Sequence, residues 1–183
     1  MKNFPVRKYP RLKKYDYSQQ GSYFVTFCVK GRHEVLGNIV LGTDSHTQSS
    51  LELTPLGIVV EKTIQYVRVE NRGVEVPQYI IMPNHVHMII ILNKAENDEE
   101  NPIGHGDINS VGHGSPTLQA VVGRIKSYTA KQWSEMGGIK YQTFWQRSFY
   151  ERIIRNEDEY EHVSRYIKEN PVRWTKDKYY IHP

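Results

Sequence analysis

YIIMPNHVHMIIIL, residues 79–92, contains two histidines one residue apart at the start of a strongly apolar run. Pro83-Asn84 interrupts the apolar residues, and this dipeptide favours a tight turn between two strands. The stretch therefore predicts an antiparallel hairpin that is made of strands Gln78–Met82 and His85–Leu92.

The two histidines, His85 and His87, are expected on the same face of the sheet because side chains alternate along a strand. Adjacent imidazoles can bind one divalent ion and leave positions open for further ligands and substrate. Since the pair opens its strand, the site is expected at one rim of the sheet. The structural alternative is a pair of hydrogen-bonded histidines that bind no metal.

Apolar periodicity in the rest of the chain predicts three helices and further strands. Thr54-Pro55 is typical of a helix N-terminus, and Asn156 followed by three acidic residues is typical of another. The predicted helices are 54–70, Leu118–Met136 and 156–170, and the further strands are Tyr23–Lys30, Val35–Val40 and one within Thr143–Ile154. Strands with interspersed helices indicate an α+β fold with an antiparallel sheet and helices packed on one face.

The domain organisation follows from length and local composition. A chain of 183 residues fits one domain. Residues 1–20 are basic and lack periodicity, which predicts an extended N-terminal arm before a single domain at 21–183. Residues 94–116 have almost no apolar side chains and much Gly, Asp, Asn and Pro, which predicts a flexible insertion.

Charge is unevenly distributed along the chain. The net charge is +7 over residues 1–33, −7 over 34–117 and +4 over 118–183. Two basic segments around an acidic middle suit a polyanionic partner, and a solvated surface with an acidic loop is the alternative.

The remaining composition bears on the cellular compartment. The basic N-terminus is not followed by an apolar segment, so no signal peptide is expected, and no apolar run is long enough for a membrane span. The one cysteine, Cys28, lies in an apolar run and is expected to be a buried hydrophobic residue. A cytoplasmic location is the simplest expectation.

The last predicted helix carries two residues that could complete a metal site. Tyr166 and Asn170 are four residues apart and share a helix face. An amide oxygen can ligate Mg²⁺ or Mn²⁺, and a phenol beside such an ion can become a nucleophile. Among the thirteen tyrosines, Tyr150 and Tyr160 are the rivals for this role.

Two long stretches together resemble a known family. MPNHVHMIII and FWQRSFYERIIRNEDEYEHVSRYIKENPVRW are similar to the REP-associated tyrosine transposases, a branch of the single-tyrosine HUH (His-hydrophobic-His) transposases. The N-terminal YDYSQQGSYFVTFCVKGR resembles the first strand of that branch. The resemblance covers most of the chain apart from residues 94–116 and a loop near 43–50.

The resemblance implies a ferredoxin-like sheet that faces a C-terminal helix with one catalytic tyrosine. By position, His85 and His87 match the metal ligands, Tyr166 matches the nucleophile and Asn170 matches a third, polar ligand. Family members attack single-stranded DNA near hairpins, leaving a 5′-phosphotyrosine and a free 3′-hydroxyl. The implied cofactor is Mg²⁺ or Mn²⁺, and the implied partner is hairpin or inverted-repeat DNA, bound by a monomer or a homodimer.

Single-stranded DNA requires a basic groove with aromatic side chains that stack on bases. The candidate DNA-binding residues are Arg7, Lys8, Arg11, Lys13, Lys14, Arg124, Lys126, Trp145, Gln146, Arg147, Arg152 and Arg155. For each of these side chains, a plain surface or packing role is the alternative.

Two other functions are compatible with the sequence. One is a non-catalytic binder of structured single-stranded nucleic acid that uses the same basic surface. The other is a metal-dependent phosphodiesterase that activates water and forms no covalent intermediate.

Overall fold

A computed structural model describes residues 20–40, 50–93, 117–137 and 143–180. Most of the predicted arm (1–20), the predicted insertion (94–116) and most of the loop near 43–50 lie outside these described residues. The described part contains six strands and three α-helices of at least thirteen residues. The strands are β1 Gly21–Cys28, β2 Gly37–Val40, β3 Ser50–Leu53, β4 Val74–Met82, β5 His85–Leu92 and β6 Tyr150–Ile154; the helices are α1 Pro55–Glu70, α2 Leu118–Glu135 and α3 Glu157–Glu169.

Four of the strands form one antiparallel sheet in the order β4-β5-β1-β6. With α1 between β1 and β4 and α2 between β5 and β6, the chain order is the β-α-β-β-α-β pattern of ferredoxin-like folds. The α+β class and the hairpin at Pro83-Asn84 are therefore confirmed. β2 pairs with β3 in a separate two-stranded sheet, and β3 was not predicted.

Helices lie on both faces of the main sheet, and this differs from the prediction of one helical face. α1 and α2 pack on the face that includes Val25, Met88 and Ile90. α3 packs on the opposite face through Val163 and Ile167. The reason is tertiary packing: α3 follows the edge strand β6, and its apolar stripe covers the face of the sheet that α1 and α2 leave open.

The helix ends confirm the capping signals of the sequence. Thr54 caps α1 by accepting a hydrogen bond from the Gly57 backbone N–H at 3.1 Å, and Asn156 caps α3 in the same way. Gly57 also allows α1 to approach the preceding loop, because a Cβ here would lie 1.9 Å from the Leu36 carbonyl oxygen. No helix among the described residues combines the length and apolar character of a membrane span.

Candidate metal and nucleophile site

The two histidines meet on the face of the sheet that α3 covers. In the β1–β5 ladder His87 lies opposite Thr26 and His85 lies opposite Cys28, so both imidazoles point to the same side. Their Nε2 atoms are 2.9 Å apart, so the two nitrogens lie together at one point on this face. The shared face that the sequence predicted is therefore present.

The histidine pair is covered, although it stands at the first residues of β5. Both side chains have 0% exposure. The ring of Tyr179 lies 4.5 Å from that of His85, and the ring of Trp174 lies 5.9 Å from it. The rim position predicted from the sequence is thus closed over by the segment that follows α3.

The remaining ring nitrogens have polar partners within the protein. His87 Nδ1 lies 2.7 Å from the hydroxyl oxygen of Thr26, and His85 Nδ1 lies 2.8 Å from the side-chain oxygen of Asn84. Such contacts fix the orientation of imidazole rings in metal sites. Each Nε2 atom is consequently the nitrogen that can serve as a ligand.

Tyr166 brings its hydroxyl to this point from α3. The oxygen lies 3.2 Å from His87 Nε2, and the phenol ring packs edge-on against Phe24. α3 packs on the sheet of its own chain, so one subunit contributes both the histidines and Tyr166 to the cluster. The rival tyrosines, Tyr150 and Tyr160, pack into the apolar cluster of this face.

Asp177 is a site residue that the sequence analysis missed. Its Oδ2 atom accepts hydrogen bonds from the Tyr166 hydroxyl at 3.3 Å and from Asn170 Nδ2 at 3.0 Å. Ligand atoms of His85, His87 and Asp177 all lie within 4.8 Å of one another. The sequence offered one signal that could have identified it, because Asp177 is the one acidic residue after Glu169.

Asn170 stands beside this cluster at the end of α3. Its side chain is buried, and within the described part of the chain its Oδ1 atom has no hydrogen-bond partner. A buried oxygen without a partner is costly unless a ligand satisfies it. The two imidazole nitrogens and the Asp177 carboxylate form a donor set that fits a divalent cation, and Asn170 donates a hydrogen bond to the same carboxylate.

Burial sets the protonation of the cluster. It lowers the pKa of His85 well below its usual range and, with the charge of Lys178, lowers the pKa of His87 to about 3. Both rings are therefore neutral near pH 7, as metal ligation requires. Burial and the Asp177 carboxylate raise the pKa of Tyr166, so the phenol keeps its proton in the absence of a cation.

Two cations beside the cluster were also missed. Lys178 Nζ lies 4.8 Å from the centre of the Tyr179 ring, and the Arg32 guanidinium carbon lies 5.1 Å from it. An Arg32 nitrogen also donates to the Lys178 carbonyl oxygen at 3.0 Å. These side chains place positive charge next to the histidines.

The predicted DNA-binding residues on and after α2 are partly engaged in the fold. Lys126 Nζ donates to the carbonyl oxygens of Gln146 at 2.6 Å and Arg147 at 3.2 Å, and the Arg147 side chain is exposed. Trp145 is 4% exposed, and its indole nitrogen donates to Thr129. Arg124 donates to the Asn71 side-chain oxygen.

The predicted residues nearest α3 form ion pairs. Arg152 and Arg155 both contact Glu159, at 3.0 and 3.7 Å. Because Arg152 lies opposite Phe24 in the β1–β6 ladder, it belongs to the histidine face, whereas α2 lies on the other. The arm residues Arg7, Lys8, Arg11, Lys13 and Lys14 lie outside the described residues.

Comparison with known sequences finds one relative of nearly the same length. No protein-family model matches the chain. An uncharacterised protein of Haemophilus influenzae (strain ATCC 51907 / DSM 11121 / KW20 / Rd) is 30% identical over 177 residues. The alignment covers 96% of this chain and 93% of the relative.

Comparison with solved structures finds the same fold in a protein bound to a REP hairpin. The structure of a REP-associated tyrosine transposase bound to a REP hairpin aligns with a TM-score of 0.55 at 22% identity. The match covers 92% of this chain and 76% of that chain. A candidate transposase from Deinococcus radiodurans R1 aligns with a TM-score of 0.45 at 16% identity, over 87% of this chain and 95% of that chain.

Proposed function

The chain belongs to one protein family with the Haemophilus influenzae relative and has the fold of a REP-associated tyrosine transposase, and on this premise we propose that it is a transposase of that kind. It acts as a metal-dependent single-stranded DNA endonuclease and strand transferase, near hairpins, through a 5′-phosphotyrosine intermediate. The observation that carries the proposal is the 3.2 Å distance between the Tyr166 hydroxyl and His87 Nε2.

In this proposal a divalent ion, Mg²⁺ or Mn²⁺, is held by His85, His87, Asp177 and Asn170. The two Nε2 atoms and the carboxylate come from the cluster within 4.8 Å, and the Asn170 oxygen without a partner supports a fourth position. When bound, the ion would favour the phenolate over the phenol and neutralise the nonbridging phosphate oxygens.

Tyr166 is the proposed nucleophile. Its oxygen attacks a phosphorus atom of the DNA, a tyrosine O–P bond forms and the P–O3′ bond breaks. The 3′-oxygen leaves as a hydroxyl, so the proton lost by the phenol is balanced by the proton that the leaving group gains. Because the phosphotyrosine conserves the bond energy, a second 3′-hydroxyl can reverse the step without a nucleotide cofactor.

The proposed partner is single-stranded DNA with a hairpin or inverted repeat. The structural neighbour was solved with a REP hairpin, and this supports a nucleic-acid partner here. Arg32 and Lys178 would bind the phosphate beside the metal, with the basic arm and the predicted cations along the approach. A homodimer is not required, since one chain supplies both the histidines and the tyrosine.

The test is a covalent-capture experiment with single-stranded DNA that contains a hairpin and carries a label at its 3′ end, because the fragment on the 3′ side of the cut stays bound to the tyrosine. With Mg²⁺ or Mn²⁺, wild type is expected to retain label in a denaturing gel, and Tyr166→Phe is expected to lose it. The loss of cleavage should be at least about 1,000-fold, equivalent to roughly 4 kcal/mol of activation free energy. Tyr160→Phe, on the same helix, is the matched control and should behave as wild type.

Each alternative function gives a different result in the same experiment. Cleavage without captured label would indicate a phosphodiesterase that activates water. Binding without cleavage at any metal concentration would indicate a non-catalytic binder. Full capture by Tyr166→Phe with loss in another tyrosine variant would show that the nucleophile is assigned to the wrong residue.

A further inference from the structure

We propose that Asn84 is a positioning residue that holds His85 in one tautomer, so that the Nε2 lone pair of this ring faces the metal position. The inference rests on the proposed function, because it assigns His85 to a metal. It concerns a residue that does not itself contact the ion.

The orientation of the Asn84 side-chain amide is determined by its surroundings. The side chain is fully buried, and its Nδ2 atom donates to the carbonyl oxygens of Arg32 at 3.2 Å and Tyr179 at 3.0 Å. If the amide were flipped, its oxygen would face two carbonyl oxygens and no donor. The Asn84 Oδ1 atom therefore faces His85 Nδ1, at 2.8 Å.

This contact determines where the His85 proton lies. An amide oxygen can only accept a hydrogen bond, so His85 Nδ1 must carry the hydrogen. A neutral imidazole has one N–H, and His85 Nε2 consequently carries a lone pair and no hydrogen. That atom points to the common site with His87, at 2.9 Å from its Nε2.

Thr26 gives the second histidine a different kind of partner. A hydroxyl can donate or accept, so the 2.7 Å contact between Thr26 and His87 Nδ1 is compatible with either tautomer. In the metal-free protein the contact between the Nε2 atoms needs one hydrogen, and only His87 can supply it. His87 must then move this hydrogen to Nδ1 when it binds an ion, and rotation of the Thr26 hydroxyl permits the exchange.

The backbone makes Asn84 a rigid support. Its carbonyl oxygen accepts a hydrogen bond from the Val29 N–H at 2.9 Å, and its side chain joins the loop at Arg32 to the segment at Tyr179. The Tyr179 backbone N–H in turn donates to Asp177 Oδ1 at 2.6 Å. Asn84 thus links the first histidine to the segment that provides the carboxylate.

The primary test is ¹⁵N NMR of the imidazoles in the metal-free wild-type protein, which distinguishes Nδ1–H from Nε2–H tautomers. We expect His85 as the Nδ1–H form and His87 as the Nε2–H form. An Nε2–H tautomer at His85 would overturn the proposal. This measurement needs no DNA and no variant, so it stands apart from the covalent-capture experiment.

Three variants separate tautomer control from a structural role. Asn84→Ala should lose the single His85 tautomer and weaken Mn²⁺ binding, measured by calorimetry, by about 10- to 100-fold. Asn84→Asp keeps an acceptor but loses both donors, so the His85 Nδ1–H signal should persist despite lower stability. Thr26→Val, the matched control on the other ring, should leave the His85 tautomer unchanged.

Two outcomes with these variants would contradict the assignment. One is an Asn84→Ala protein with the wild-type tautomer and Mn²⁺ affinity. The other is an Asn84→Asp protein that loses the His85 Nδ1–H signal as Asn84→Ala does, since Asn84 would then act only by tethering the two carbonyls. A failure of DNA cleavage with a wild-type NMR pattern would count against the proposed function and not against this role of Asn84.

Discussion

The face of the sheet under α1 and α2 and the face under α3 are built from the same strands, offset by one residue. In β1, Val25 belongs to the first face and Thr26 to the second; in β5, Met88 and His87 are the corresponding neighbours. The first face joins a large apolar cluster, whereas the second combines a small apolar cluster with the buried polar site. Side chains alternate between the two faces along each strand, so neighbouring residues of one strand contribute to the large apolar cluster and to the candidate site.

The difference shows how the protein can maintain a costly site. The buried imidazole and amide groups and the half-buried carboxylate contribute little to stability and are tolerated when hydrogen-bonded. The apolar contacts of the other face supply the stabilisation that the polar face lacks. Substitutions on the first face should therefore affect mainly stability, and those on the second mainly chemistry.

The largest stability effect should come from Ile125→Ala on α2. Ile125 is fully buried, and its truncation should lower the free energy of unfolding by about 2–5 kcal/mol while leaving adduct formation per folded molecule unchanged. Ile167→Ala on α3, also buried, should lower both the free energy of unfolding and adduct formation per folded molecule, because Ile167 is next to Tyr166. Urea unfolding measures the first quantity and covalent capture measures the second. If Ile125→Ala and Ile167→Ala lost capture equally, the roles of the two faces would not be separable.

Metal binding should stabilise the protein through the α3 face. At 100 times its dissociation constant, Mn²⁺ should add about 2.7 kcal/mol to the free energy of unfolding, visible as a higher Tm. His87→Ala should remove this gain, and a chelator should reverse it in wild type. His162→Ala, an exposed histidine on α3, is the control; loss of the gain there would argue against the buried site.

A smaller effect is expected where α3 is tied to β4. The Ser164 hydroxyl donates to Gln78 Oε1 at 2.5 Å, and Gln78 Nε2 donates to the Ser164 carbonyl oxygen at 2.7 Å. Ser164→Ala should lower the free energy of unfolding by about 1 kcal/mol and capture by at most about tenfold, because α3 would hold Tyr166 less firmly. Ser134→Ala on α2 should leave capture unchanged.

The last prediction concerns Cys28, which lies opposite His85 in the β1–β5 ladder. Burial raises the pKa of this thiol from 9.0 to about 11, so a thiol reagent should label folded protein slowly at pH 8 and rapidly in urea. Between pH 9 and 11 the folded state holds a proton that the unfolded state has lost, so stability should fall as pH rises through this window. Cys28→Ser should lack this dependence, and rapid labelling of folded protein would contradict the burial.

Local sequence signals predicted the elements that depend on neighbouring residues. Thr54 and Asn156 marked the starts of α1 and α3, and Pro83-Asn84 marked the hairpin turn. β3 was missed because Ser50–Leu53 is short and lacks β-branched residues, so its strand geometry depends on pairing with β2. The face that α3 covers was also missed, because a helical stripe does not specify which side of a sheet it meets.

By itself, the sequence determined the antiparallel α+β class, the hairpin, and the placement of His85 and His87 on one face, because all three follow from spacing along the chain. Only the tertiary structure decided that Tyr166 reaches His87, that the pair is buried, and that Asp177 joins the cluster. Asp177 lies 90 residues after His87 in a segment without periodicity, and contacts of that range depend on how packed elements fold back on each other. Local pattern carries no information about such an approach, whereas packing of α3 on the sheet determines it.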